Sequence, residues 1–351
     1  MFKYDRDFLK MAQELQRIEI SSKTIFFIVG VGVAIWFIIQ ILPIIVLLFV
    51  SLILVSALHS PVDFLESKKI PRFLAIIIVY LLLFALVSGV FTLIIPQFIS
   101  QTRDLIDRSP VIFDELNKVF VFYQIPTQDV VSRIAGELRI LSPNFFKITA
   151  GFFSSLLGVV TLLALTFYLL LEWPKIIRLV SSAFAGKQEE RIKVILEDIE
   201  RGLGSWVRGE LVLMFSIGIL SYIGLVLLGV PYALSLAVLA GLLEIIAILG
   251  PIIATIPAVL AALLVSPILA VAVIALYFII QQLENNIIVP NVMRKAVGVN
   301  PLITIIALMI GVKLAGILGA VLAVPAVVLI RILVTDILRP EGEEVPEDSE
   351  L

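Results

Sequence analysis

Long apolar runs separated by short charged stretches dominate this chain. Five runs contain no Asp, Glu, Lys or Arg: residues 24–62, 73–102, 148–171, 211–243 and 245–283. The shortest of them has 24 residues, and about 20 apolar residues cross a bilayer core as an α-helix. The pattern predicts an all-α polytopic membrane protein. It would have about six full transmembrane helices, two re-entrant helical hairpins (about eight hydrophobic segments in all) and a small helical soluble insert.

Residues 1–23 read as a charged amphipathic N-terminus rather than a cleavable leader. Residues 24–95 supply the first three transmembrane helices, with the 24–62 run expected to break into two short helices near Pro43. Residues 96–147 carry six basic and six acidic residues with Pro110, Pro126 and Pro143 as breakers, and form the soluble insert. A C-terminal transport region follows over 148–338. It contains an amphipathic helix over 174–208, with Ile192, Ile195, Leu196 and Ile199 at helical spacing, expected to lie on the cytoplasmic face.

Two stretches do not read as simple spans. Residues 231–265 contain Gly250-Pro251 and Pro257, and residues 301–330 contain Gly311, Gly316, Gly319 and Pro325. Each half is too short to cross about 30 Å comfortably, so each stretch is expected to turn back as a hairpin. Between them a helix is expected over 267–290, ending at Pro290, and Pro301 opens the second hairpin. With the first hairpin entering from outside and the second from the cytoplasm, 19 of the 26 Lys and Arg fall on the cytoplasmic side, and both termini do too. The tail, 339–351, is acidic and expected to be disordered.

Composition agrees. Hydrophobic residues make up 60% and charged residues 15%, against about 45–50% and 25% in soluble proteins. There is no cysteine and one histidine, His59, so no thiolate or histidine metal site can be assembled, and no metal or cofactor is expected. A net charge of −2 points away from nucleic acid. No HExxH, GxSxG or P-loop is present, so neither an enzyme nor an ATP-driven pump is expected.

Three charges interrupt the apolar elements: Glu244, Glu284 and Lys313. A charge at a helix centre costs about 2.5–3.5 kcal/mol on insertion scales, which makes each a functional candidate. Glu284 sits in QQLENN, 281–286, where Gln281, Asn285 and Asn286 join it in a polar face able to line a wet cavity, bind a polar solute or carry a proton. Glu244, seven residues before Pro251, would face the same cavity. The broken helices at the glycines and prolines can expose backbone groups that bind ions at mid-membrane.

The stretches QQLENNIIVPNVMRKAVGVNP and GVKLAGILGAVLAVP resemble the signature of the autoinducer-2 exporter family of permeases, with Gln281, Glu284, Pro290 and Pro301 matching. GVPYALSLAVLAGLLEIIAILGP resembles the family's earlier motif through Glu244, Gly250 and Pro251. The chain departs at Arg294, where the family usually has Gly, and at Ala247, where it usually has Pro. The resemblance implies a secondary transporter in a prokaryotic inner membrane, a homo-oligomer, expected to be a pentamer, and an elevator-like movement of the hairpin-bearing part. It also implies either export of autoinducer-2 or Na⁺(Li⁺)/H⁺ antiport.

Three functions remain open on the sequence. The first is export of a small polar solute such as autoinducer-2, coupled to an ion or proton. The second is Na⁺(Li⁺)/H⁺ antiport. The third is a membrane scaffold or passive pore. The expected partners are the lipid bilayer, the solute or Na⁺ and H⁺, and further copies of the chain.

Overall fold

The computed structural model describes residues 22–107, 156–246, 249–293 and 301–337. Residues 1–21, most of the 96–147 insert and the tail from 338 lie outside the described residues. The chain divides into two compact units, Met1–Phe49 and Val50–Leu351. Every described element is helical.

In the first unit the chain enters α1, Ser22–Ser67, a 46-residue helix that continues into the second unit. The expected break near Pro43 does not occur, and the backbone stays helical through it. A proline removes one ladder hydrogen bond. With apolar neighbours on both sides, leaving the helix would strand many more backbone groups in lipid.

In the second unit α2 runs Arg72–Asp107 and α3 runs Leu156–Ser181. A turn closed at Gly186, φ 63°, leads into α4, Lys187–Leu227, with Glu189 and Glu190 facing its N-terminal dipole. The separate amphipathic helix expected over 174–208 is not there. Residues 174–181 finish α3, and 187–208 are the first half of one unbroken 41-residue helix. Nothing between 187 and 227 stops it, since there is no proline and its glycines sit on packed faces. It ends in a Schellman motif, with Gly229 at φ 69° and Val230 N–H donating to the Leu225 carbonyl at 2.9 Å.

Two short apolar helices, α5 (Ala233–Leu243) and α6 (Leu249–Leu263), then fold on one another. The next helix, α7 (Pro267–Leu283), starts at Ser266, whose hydroxyl accepts from Leu269 N–H at 3.2 Å. A π-helical turn, Glu284–Ile288, and the short α8, Val289–Met293, continue it. The last helix, α9 (Pro301–Ile337), is interrupted at Ala315 and Gly316, whose backbone angles leave the helical region. Here the chain doubles back. Gly311 and Gly319 press so closely that a Cβ on either would overlap the other's carbonyl oxygen.

By length and composition six described helices are apolar enough to cross a membrane, and one of them is the folded-back Leu302–Asp336. Large apolar side chains such as Phe84, Leu227, Ile268, Phe278 and Leu314 point outward, each more than 60% exposed. A water-soluble surface does not carry that many.

Among the described residues of this unit two large cores form. One joins α1, α2 and α3 through Val55, Val62, Ile76 and Leu170. The other joins α4, α5, α6 and α7 around Ile217, Leu225, Ala258 and Val273. Alanine and glycine let these backbones approach: a Cβ on Gly241 of α5 would lie 2.6 Å from the Met214 carbonyl oxygen of α4. A small third cluster brings Ile246, in the turn after α5, against Leu308, Ala320 and Ala323 of the α9 fold-back. The turn after α5 therefore packs against both arms of the α9 fold-back.

Candidate functional site

Glu244 closes α5, with its own N–H bonded to the Ala240 carbonyl at 3.2 Å. The turn that follows is tight. The Ile246 N–H donates to the Leu243 carbonyl at 2.9 Å and the Gly250 N–H to the Ile246 carbonyl at 2.8 Å. Gly250 lies directly on the Leu243 backbone, where any side chain would collide. That contact explains the glycine, and Pro251 is buried in the first turn of α6, where its missing N–H costs nothing. Glu244 is thereby held at a hairpin turn, 4% exposed.

Glu284 comes to the same place from α7 and is 6% exposed. It opens the π-helical turn, and the Val289 N–H reaches back five residues to its carbonyl. Pro290 accounts for the wide turn. A proline ring in a regular helix collides with the carbonyl four residues earlier, and widening by one residue moves that carbonyl away. Pro290 therefore sits within the helical run and does not end it.

The carboxyl groups of Glu244 and Glu284 lie close enough to each other to interact directly, and Gln281 Nε2 donates to Glu284 Oε2 at 3.1 Å. The other Glu244 oxygen, Oε2, is buried and has no partner. A third carboxylate, Glu210 of α4, lies within Coulombic reach of both. Glu210 is absent from the sequence-level candidates. It is the last charge before the 211–243 run, so it reads as the edge of a charged stretch rather than an intrusion into an apolar one. The only signal for it was that position at the border.

The structure divides QQLENN. Gln281 and Glu284 turn inward, while Gln282, Asn285 and Asn286 are exposed. Asn286 is occupied locally, donating to the Gln282 carbonyl at 2.8 Å. It does not bring Asn285 or Asn286 to the carboxyl pair. Gly311 and Gly319 form the backbone contact of the α9 fold-back, Gly316 turns it at φ 58°, and Pro325 is fully buried inside its returning arm. Pro301 is the first residue of α9. Lys313 is exposed near the turn. Among the described residues no three His, Asp or Glu side chains converge closely enough to hold a metal ion. The site is therefore a two-carboxyl contact with a third charge at longer range.

A second polar cluster lies between α1 and α4. His59 Nδ1 is 2.6 Å from Glu200 and 3.2 Å from Asp63, Trp173 Nε1 donates to Glu200, and Arg72 binds Asp63 at 2.9 Å. His59 is thus a bridging residue and not a free helix end.

A helical chain with apolar outward faces, two helical fold-backs in contact and carboxyls buried among its helices defines a multi-pass membrane protein. Comparison with known proteins specifies the class. The chain matches the AI-2E family transporter over residues 25–339. It is 27% identical over 313 residues to the "Putative transport protein YrrI" of Bacillus subtilis, covering 86% of this chain and 88% of that one. It is 29% identical to YueF of the same organism, which carries the same description, over 83% and 85% of the two chains. A third relative, 23% identical over 80% of this chain and 86% of its own, is the sodium-lithium/proton antiporter of Halobacillus andaensis. The chain belongs to the AI-2E transporter family and is a membrane transporter.

Proposed function

We propose that this transporter is a secondary antiporter that exchanges protons for a small monovalent cation, Na⁺ or Li⁺, at the Glu244–Glu284 pair. The observation that carries this reading is the burial of two carboxyls in direct reach of each other, beside an unpartnered Glu244 oxygen. Two carboxyls buried so close together do not both ionise, so the pair holds one proton between them. A cation entering the pair takes the place of that proton and satisfies the free oxygen, and the departing proton leaves to one side of the membrane. Gln281 holds Glu284 in register for both states, and Glu210 adds attraction for a cation. The antiporter of Halobacillus andaensis supports the same reading by likeness.

A second reading is export of a small polar solute such as autoinducer-2, driven by proton movement at the same carboxyls. The family description supports it. Against it, the amides of Asn285 and Asn286 that would bind hydroxyls face away from the pair.

In both readings α5–α6 and the α9 fold-back enter the membrane as re-entrant hairpins and move together, which their contact at Ile246 and Ala320 supports. No enzymatic step is involved. The protein would work as a homo-oligomer in the inner membrane of a prokaryote. The Lys and Arg distribution supports cytoplasmic termini. Thiol labelling of a Lys10→Cys variant in intact cells tests the side of the N-terminus: protection from an impermeant reagent is expected, and labelling would overturn it.

The deciding experiment is proton movement in everted vesicles during Na⁺ or Li⁺ pulses, comparing the natural chain with Glu284→Gln. Cation-dependent proton release that disappears in the variant is expected. Release unaffected by Glu284→Gln would remove the pair from the mechanism. No release from either would move the weight to solute export.

A further inference from the structure

Glu244 and Glu284 are buried, 4% and 6% exposed, so a proton that reaches them passes between helices. On α7 the residues Tyr277, Gln281 and Glu284 follow one another four and three apart, which places them along one face. On α4, Glu210, Met214, Ile217 and Ser221 follow the same spacing. The two helices run antiparallel: Gly209 meets Met293 near one end of the contact and Gly224 meets Leu276 near the other. Each face thus begins at a carboxyl and ends at a hydroxyl, and the two hydroxyls, Tyr277 and Ser221, face each other.

Both hydroxyls are buried in the otherwise apolar α4–α7 core, with Ser221 0% and Tyr277 6% exposed. They are close enough to interact, yet neither oxygen makes a hydrogen bond of normal geometry to any protein group. Leaving a buried hydroxyl without a partner costs about 1–3 kcal/mol, and phenylalanine and alanine would fill the same space without that cost. A pair of hydroxyls kept in such a place fits a ligand that both donates and accepts hydrogen bonds and is no larger than water.

We propose that Tyr277 and Ser221 form a proton relay that connects the Glu210–Glu244–Glu284 cluster with the opposite half of the α4–α7 bundle. Each hydroxyl takes a proton from a neighbour on one side as it gives its own to the neighbour on the other, so no net charge stays on either. Two helical turns, about 10 Å, separate Tyr277 from Glu284, a gap that a few water-sized groups span at about 2.8 Å each. This inference rests on the proton-coupled reading above and extends it to the route.

The test uses the full-length protein in proteoliposomes, with Li⁺ as the probe. Li⁺-driven proton flux and Li⁺ binding (by calorimetry) are measured for the natural chain, Glu284→Gln, Tyr277→Phe, Ser221→Ala and Ser221→Thr. We expect Tyr277→Phe to lower the flux about a hundredfold, the scale of a positioned proton donor, while Li⁺ binding stays within about twofold. Ser221→Ala should follow it, and Ser221→Thr, which keeps the hydroxyl, should retain the flux. Glu284→Gln should lose both flux and binding. Unchanged flux in Tyr277→Phe overturns the relay and leaves the carboxyl site standing. Equal loss of flux and binding in Tyr277→Phe also overturns it, in favour of a packing role. Absence of Li⁺-linked proton movement in the natural chain overturns both the relay and the antiport reading.

Discussion

At the scale of single residues the site is set by where a charge costs most. Glu244 and Glu284 were legible in the sequence because each interrupts a long apolar run, and a helix does not carry a carboxyl into lipid without a role. Gln281 was legible through its spacing from Glu284. Glu210 was not, because its cost is visible only once α4 is known to run unbroken past it. Its contribution should be electrostatic. Replacing Glu210 by Gln removes one charge at longer range, worth about 1 kcal/mol at an effective dielectric near 20. The concentration of Li⁺ that half-saturates exchange in vesicles should rise roughly fivefold while exchange itself persists. An unchanged half-saturation value would take Glu210 off the site.

At the scale of elements the two broken stretches depend on backbone contact. Gly319 lies on the Gly311 carbonyl, and neither backbone can withdraw without opening the fold-back. Gly319→Ala should therefore cost about 3 kcal/mol or more, the upper end of overpacking. Gly224→Ala should cost much less, since its obstacle is the movable end of Leu276. Thermal unfolding in detergent should rank the two in that order, and equal losses would mean that the α9 fold-back is not the tight contact described. The π turn makes a different prediction. Pro290→Ala restores a backbone N–H and lets a regular α-helix continue through residues 284–290. Stability should hold or rise while exchange falls about tenfold, because turning Glu284 off Glu244 separates the two carboxyls. Full activity would show that the wide turn does not aim Glu284. The sequence predicted Pro290 as a stop. A proline marks a local conflict, and whether the helix ends or widens is decided by what packs against it.

For the whole molecule, the two cores of the second unit suggest which parts move. The α1–α2–α3 core is tied to α4 by His59 and Glu200, 2.6 Å apart, whereas the turn after α5 packs on the α9 fold-back at Ile246 and Ala320. The chain has no cysteine, so introduced pairs can be bridged cleanly with a short bifunctional thiol reagent. A bridge between His59→Cys and Glu200→Cys should arrest transport, and one between Ile246→Cys and Ala320→Cys should leave it running. The reverse pattern would mean that the hairpins part from one another during transport and do not travel together.

The sequence by itself determined the class. Runs of more than 20 apolar residues have no stable place except lipid, and the buried backbone they imply must be helical. It also singled out both broken stretches and two of the three carboxyls that the fold brings together, because glycine, proline and charge each carry a local energetic cost that is legible without coordinates. The tertiary structure alone decided three things. It kept α1 whole through Pro43 and α4 whole through residue 208. It divided QQLENN between an inward pair and an outward group, through a change of helical register that no periodicity reveals. And it brought Glu210, Glu244 and Glu284 together from three helices, since proximity between residues 74 positions apart is a property of packing and not of spacing along the chain.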